Sequence, residues 1–238
     1  RDLVRSRGLG DVYKRQIKYG LALLLLSFYS CESWLNVTPS DRLSEEMLFN
    51  DREGFVKALN GVYIELNTNE LYGRNLTAGA LDVMGQYYSV ASSSHAFYNY
   101  GGLVYTGNDE KALFDNMWQK CYAVIACCNT IIEKCDENKA GLSPVWKGSI
   151  KGEALALRAM LHFDMLRLFG PLTSELDKES IPYQTNSDQT VTPLLSGSEV
   201  IGLILDDLKN AVGLLKDTDP YFVEEEFSDT DLNYRRFR

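Results

Sequence analysis

An all-α fold is predicted by three features of this sequence. Apolar residues recur at helical spacing in four separate stretches, start and stop residues bracket those stretches, and no run reads as a convincing strand ladder. With 238 residues, 45% of them hydrophobic and 24% charged, the chain is long enough to bury one large core.

The first helix is expected from Asn50-Asp51-Arg52-Glu53, with the Asn50 side chain taking a free backbone N–H and Glu53 reaching back; Phe55, Leu59, Val62 and Leu66 then share one face. A second helix is expected over about residues 111–135. Its Phe114, Trp118, Cys121, Ile125, Cys128, Ile132 and Cys135 alternate between spacings of four and three, which demands a neighbour along its whole length. The third begins at Ser143-Pro144, a capping serine and a proline in the first helical position, and stops at Gly170-Pro171. Ile150, Ala154, Leu157, Leu161, Met165 and Leu168 form its stripe. The fourth opens on the capping box Ser196-Gly197-Ser198-Glu199 and presents Ile201, Ile204, Leu208, Val212 and Leu215. Residues 172–195 and 217–231 read as polar connections, broken by Pro182, Pro193 and Pro220.

The N-terminal stretch has a different character. The apolar run over residues 19–30 is about a dozen residues long, short of the ~20 needed to span a bilayer as a helix. Lys14, Arg15 and Lys18 precede it and small Ser30 closes it, the order of a secretory signal that is cut before Cys31. No methionine occurs before Met47, so residues 1–16 are expected to be a non-native extension, residues 17–30 the signal peptide, and residues 31–238 the folded domain. A formal net charge of -9 opposes contact with phosphate backbones and argues against nucleic acid as a partner.

Catalytic and metal chemistry find little support. Cys121, Cys128 and Cys135 repeat every seven residues and so stand ~10 Å apart along a helix, whereas the thiolates of one zinc ion each lie ~2.3 Å from it. They read as small apolar core thiols; the oxidising compartment of an exported chain leaves a disulfide to a thiol elsewhere as the alternative. His162 and Asp164 are two apart on a helix and do not face each other. The acidic tract around Asp217, Asp219, Glu224 and Asp229 lacks the glycine and closing glutamate of an EF-hand loop. HExxH, GxxxxGK, GxGxxG and GxSxG are all missing, although a paired-carboxylate hydrolase needs no local motif. No catalytic residue, metal ligand or cofactor is assigned.

What remains is the segment between the first two helices, "YGRNLTAGALDVMGQYYSVASSSHAFYNYGGLVYTGND", which holds six of the 14 tyrosines. A connection this long inside a domain tends to be functional or disordered, and its aromatics argue against disorder. Sugars offer flat C–H faces to aromatic rings and hydroxyls to amides and carboxylates, and both partners occur here. The expected site is therefore Tyr87, Tyr88, Tyr98 and Tyr100 as stacking faces, with Asp82, Gln86 and Asn99 as hydroxyl partners. For any single tyrosine the alternative is packing on the helices beneath.

Three stretches carry a family resemblance. "CESWLNVTPSDRLSEEMLFNDREGFVKALNGVY", "GEALALRAMLHFDMLRLFGP" and "EVIGLILDDLKNAVGLL" resemble, in this order, the opening and the helices of the SusD/RagB outer-membrane nutrient-binding lipoproteins. The resemblance implies a tetratricopeptide-like helical-hairpin superhelix with long irregular ligand-binding loops. It implies lipid on Cys31, a cell-surface position on the outer membrane of a Gram-negative bacterium, and a glycan ligand passed to a SusC-like TonB-dependent transporter. It also implies a longer protein with further repeats beyond residue 238. A peptide- or protein-binding helical adaptor and a surface glycoside hydrolase are the alternatives.

Overall fold

The computed structural model describes residue 19, residues 45–188 and residues 190–219. Apart from Tyr19, the signal-like run lies outside the described residues, as do Cys31 and the acidic tract beyond Asp219. The chain divides between Ser44 and Glu45, and the architecture below is that of the second unit.

Among the described residues of this unit, seven helices and a two-stranded ribbon follow in chain order: α1 (Glu45–Leu48), α2 (Arg52–Leu66), α3 (Ala80–Met84), α4 (Tyr98–Gly101), α5 (Asn108–Glu137), α6 (Pro144–Phe169), β1 (Glu179–Pro182), β2 (Leu194–Ser196) and α7 (Gly197–Leu215), with a 3₁₀ turn at Thr173–Glu175. Successive long helices pack as antiparallel hairpins, so the all-α reading holds.

Helix α2 buries Phe55, Leu59, Val62 and Leu66, the face expected from their spacing. Its cap differs from expectation: Asp51, not Asn50, accepts the Gly54 N–H at 2.8 Å, and Glu53 pairs with Lys57 one turn on. The turn is too tight for a register one residue earlier. Gly54 approaches the Leu48 carbonyl so closely that a Cβ there would collide with it.

Helix α5 runs a few residues beyond both expected ends and buries Cys121, Ile125, Cys128, Ile132 and Cys135. Asn138 ends it in the left-handed conformation at φ 45°. The Asn138 side chain then closes the connection to α6, accepting the Leu142 N–H at 2.7 Å and donating to the Leu142 carbonyl at 3.2 Å. Helix α6 starts as expected, with Ser143 Oγ accepting the Trp146 N–H at 3.3 Å and Pro144 in the first position. It is buried on more than one side because α5 and α7 both pack on it.

Two expectations are corrected here. The polar connection expected over residues 172–195 holds an antiparallel ribbon in which Glu179 faces Ser196 and Pro182 faces Leu194. Ile181 and Tyr183, two residues apart, turn inward and are 0% and 4% exposed, an alternation too short to be seen next to Pro182. In α7 the buried face is Val200, Ile204, Asp207 and Ala211, leaving Leu208 39% and Val212 65% exposed. The inward face carries Asp207, which pairs with Arg158 of α6, and two glycines of α6 let the chain of α7 and its end come close: a Cβ at Gly152 would lie 2.8 Å from Leu215 Cγ and one at Gly148 2.6 Å from Thr218 Cγ2.

A connected polar network crosses the core. The guanidinium of Arg158 donates to both carboxylate oxygens of Asp207, each at 2.7 Å, and to Asn129 Oδ1 at 2.8 Å, while Tyr183 Oη donates to Asp207 Oδ2 at 2.6 Å. Asn129 Nδ2 donates to the carbonyls of Gln184 and Asn186 at 3.2 and 2.8 Å, which staples the chain after β1 onto α5. Cys121, Cys128 and Cys135 are buried and free; burial pushes the Cys128 and Cys135 thiols up to about 12.

Candidate functional site

The tyrosine-rich segment is built on a core of its own. Ala80 and Val83 from α3 and Tyr100 from α4 form a second buried cluster, roofed by Val90, Phe97, Tyr105 and Phe114. Rings meet there edge-on: Tyr100 with Phe97 at 5.8 Å and with Phe114 at 6.0 Å, and Tyr105 with Phe114 at 5.4 Å. Phe114 in turn meets Phe169 of α6 at 6.2 Å, so the small cluster leans on the main core.

A cleft of about 340 Å³ opens above this cluster, lined by Gln86, Tyr88, Ser89, Val90, Tyr98, Asn99, Gly101, Gly102 and Val104. Four of the seven expected ligand residues thus come together: Gln86, Tyr88, Tyr98 and Asn99. Tyr98 and Tyr88 are each 42% exposed. Tyr87, 83% exposed, stands outside the lining, its ring close over Gly85 where a Cβ would come within 3.1 Å. Asp82 is half-buried on α3 and also lies outside the lining.

Tyr100 is corrected. It is 2% exposed and offers no stacking face; it holds up the floor of the cleft, with its Oη 3.5 Å from the Asp109 carbonyl. Burial first, then the charges of Glu110 and Asp109, push its hydroxyl up to about 12. Alternation along a helical turn sends Tyr98 and Asn99 outward and Tyr100 inward, which residue type alone does not reveal.

The polar groups of the cleft are fixed. Gln86 Nε2 donates to the carbonyls of Gly101 at 2.9 Å and Val83 at 3.3 Å, and Asn99 Nδ2 donates to Glu110 Oε1 at 2.8 Å. Tyr88 Oη donates to the Ala78 carbonyl and lies 3.2 Å from that of Gly79. Glu110, 5% exposed, is a member of the site that sequence reasoning misses. Its carboxylate folds back over the start of α5, where a side chain on Gly107 would overlap it. Gln86 and Leu103 flank the cleft in the left-handed region, at φ 59° and 55°. Such conformations persist in larger residues only where the surroundings hold them, and they gather at functional sites. Ser89, Val90, Gly101, Gly102 and Val104 carry no sequence signal, because nothing in their type distinguishes them from ordinary loop residues.

The helical-hairpin scaffold thus carries, on an irregular insertion, a cleft with Tyr88 and Tyr98 in its lining. A family model described as SusD-like, "Starch-binding associating with outer membrane", matches residues 33–228. The chain belongs to the SusD-like family. It is 26% identical over 163 residues to SusD-like protein P2 of Formosa agariphila, covering 66% of this chain and 30% of that protein. It is 27% identical over 199 residues to SusD-like protein P38 of the same organism, covering 76% and 34%. Among solved structures it resembles a putative sugar binding protein from Bacteroides vulgatus, with 25% identity and a TM-score of 0.56 over 69% of this chain and 37% of that one. A SusD superfamily protein from Bacteroides thetaiotaomicron shares the fold at 20% identity and a TM-score of 0.54 over 69% of this chain and 37% of that one. The chain spans about a third of the length of the first two relatives.

Proposed function

We propose that this protein binds oligosaccharide or polysaccharide at the cell surface and passes it, chemically unchanged, to a SusC-like TonB-dependent transporter. In this reading lipid on Cys31 tethers it to the outer membrane, where several acyl chains on one residue hold firmly. The observation that carries the binding role is the cleft: Tyr88 and Tyr98 offer ring faces at its edge, Gln86 and Asn99 offer oriented amides within it. Rings match the C–H faces of a sugar and amides its hydroxyls. Exposed Tyr87 extends the aromatic surface toward solvent, and the Asp82 carboxylate is a further hydroxyl partner for a ligand that reaches past the cleft. The family's description and the sugar-binding neighbour support the same class of ligand.

Affinity electrophoresis in gels cast with a broad panel of polysaccharides tests the reading. Retardation by at least one glycan, with no new reducing ends released on incubation, is the expected result. Retardation by none would favour a peptide- or protein-binding adaptor; steady release of reducing ends would favour a hydrolase.

A further inference from the structure

We infer that Gly102 is the specificity-determining residue of the cleft: a sugar ring is seated against its bare main chain, and a side chain there takes the ring's place. This rests on the glycan-binding reading above.

A glycine is needed where the backbone is left-handed or where a neighbour leaves no room for a Cβ. The connection between α2 and α5 holds six glycines, and five of them have the second reason. A Cβ would collide with the Asn67 carbonyl at Gly73 and with the Glu110 carboxylate at Gly107. It would lie 2.6 Å from the Arg74 carbonyl oxygen at Gly79, 3.1 Å from the Tyr87 ring at Gly85 and 3.3 Å from Val83 Cγ1 at Gly101.

Gly102 has neither reason. Its φ of -85° and ψ of 1° are those of the third residue of a type I turn, which most residues adopt. The nearest atoms to a Cβ would be the Asn99 carbonyl oxygen at 3.6 Å, Val104 Cγ2 at 3.8 Å and the Tyr98 carbonyl oxygen at 4.0 Å, all ordinary contacts. The left-handed residue is the next one, Leu103 at φ 55°, where a helix end usually has its glycine. The chain thus places glycine one position before the backbone requires it. Alanine at 102 would keep the fold and restrict the unfolded chain, so glycine is here the less stable choice.

What the absent side chain leaves open is the cleft. Asn99, Val104 and Tyr98, whose atoms would surround the Cβ, all belong to the lining, as does exposed Gly102 itself. A side chain at 102 therefore grows from the cleft wall. At about 340 Å³ the cleft is near the lower end of small-molecule sites, ~300–1,000 Å³, so one added group changes what fits. Bare main chain lets a ligand approach closely, and the Tyr98 ring stands beside it.

Titration calorimetry of the full chain with soluble starch, laminarin, galactomannan and xylan, together with thermal unfolding, tests this. Gly102→Ala should keep the parent's Tm or raise it by about 1–3 °C. The same variant should bind each glycan that the parent binds about three-fold more weakly, and Gly102→Leu at least about ten-fold more weakly. Gly61→Ala is the control for stability alone: a Cβ there meets nothing within 4 Å and α2 takes no part in the lining, so its affinity should equal the parent's. Undiminished binding in folded Gly102→Leu, or in Gly102→Ala where the leucine variant does not fold, overturns the inference and leaves the glycan-binding reading standing. A lower Tm in Gly102→Ala also overturns it, since the glycine would then be required by the fold. Binding of no polymer by the parent overturns both.

Discussion

The guanidinium of Arg158 and the carboxylate of Asp207 meet through two parallel hydrogen bonds of 2.7 Å, and both side chains are nearly sealed from solvent. The pair joins α6 to α7, and through Tyr183 and Asn129 it also fastens the ribbon and α5. Its value lies in never leaving either charge alone. Removing one partner of a buried pair costs ~3–5 kcal/mol, because the other stays buried and unpaired, whereas replacing both with apolar groups of similar volume is often neutral. Asp207→Ala should therefore lower the urea-unfolding free energy by about 3–5 kcal/mol, and the double variant Arg158→Met with Asp207→Leu should recover most of it. A single variant as stable as the parent would show the network to be dispensable.

His162 predicts a pH dependence. Burial, then the charge of Arg158, hold its imidazole down from 6.5 to about 4. The neutral ring has a defined tautomer: Nδ1–H donates to the Arg158 carbonyl at 2.9 Å and Nε2 accepts the Gln184 N–H at 3.0 Å. Because the folded pKa is depressed, the unfolded chain binds the proton first. The contribution is whole above pH 6.5 and is lost as pH falls toward 4, to a total of roughly 3 kcal/mol. Chemical denaturation at about pH 7 and about pH 4.5 should show a loss in the parent that exceeds that in His162→Gln by about 2 kcal/mol. Equal losses would mean that the ring does not titrate in this window.

Cys31 carries the anchoring proposal. Fractionation of cells that express Cys31→Ala should find the protein in the soluble periplasmic fraction, while the parent sediments with the outer membrane. A variant that still sediments with the outer membrane would show that the tether is not attached at that residue.

Much of the scaffold is legible in the sequence. The Ser143-Pro144 start, the Gly170-Pro171 stop and the Ser196–Glu199 capping box are local chemistry, and each falls where expected. The α2 face follows from spacing alone. What escapes a reading of the sequence depends on contacts between distant residues: α7 turns inward the face that carries Asp207, the partner of Arg158, and the ribbon forms where Ile181 and Tyr183 find a core. In the candidate site, the residue types favoured by sugar chemistry lead to the loop that carries the cleft but cannot sort Tyr98, at the surface, from Tyr100, beneath it. Glu110 is hidden for the same reason: its effect on the cleft passes through Asn99, eleven residues back.

The cleft between Tyr88 and Tyr98 is where glycan is held, in the function proposed above. Titration calorimetry of the parent and of Tyr98→Ala, with whichever polysaccharide retards the parent in a gel, tests this directly. A loss of about five-fold or more in affinity is expected, the worth of one stacked ring, with unchanged helical content. Undiminished affinity in a folded Tyr98→Ala protein would contradict it and place the binding surface elsewhere.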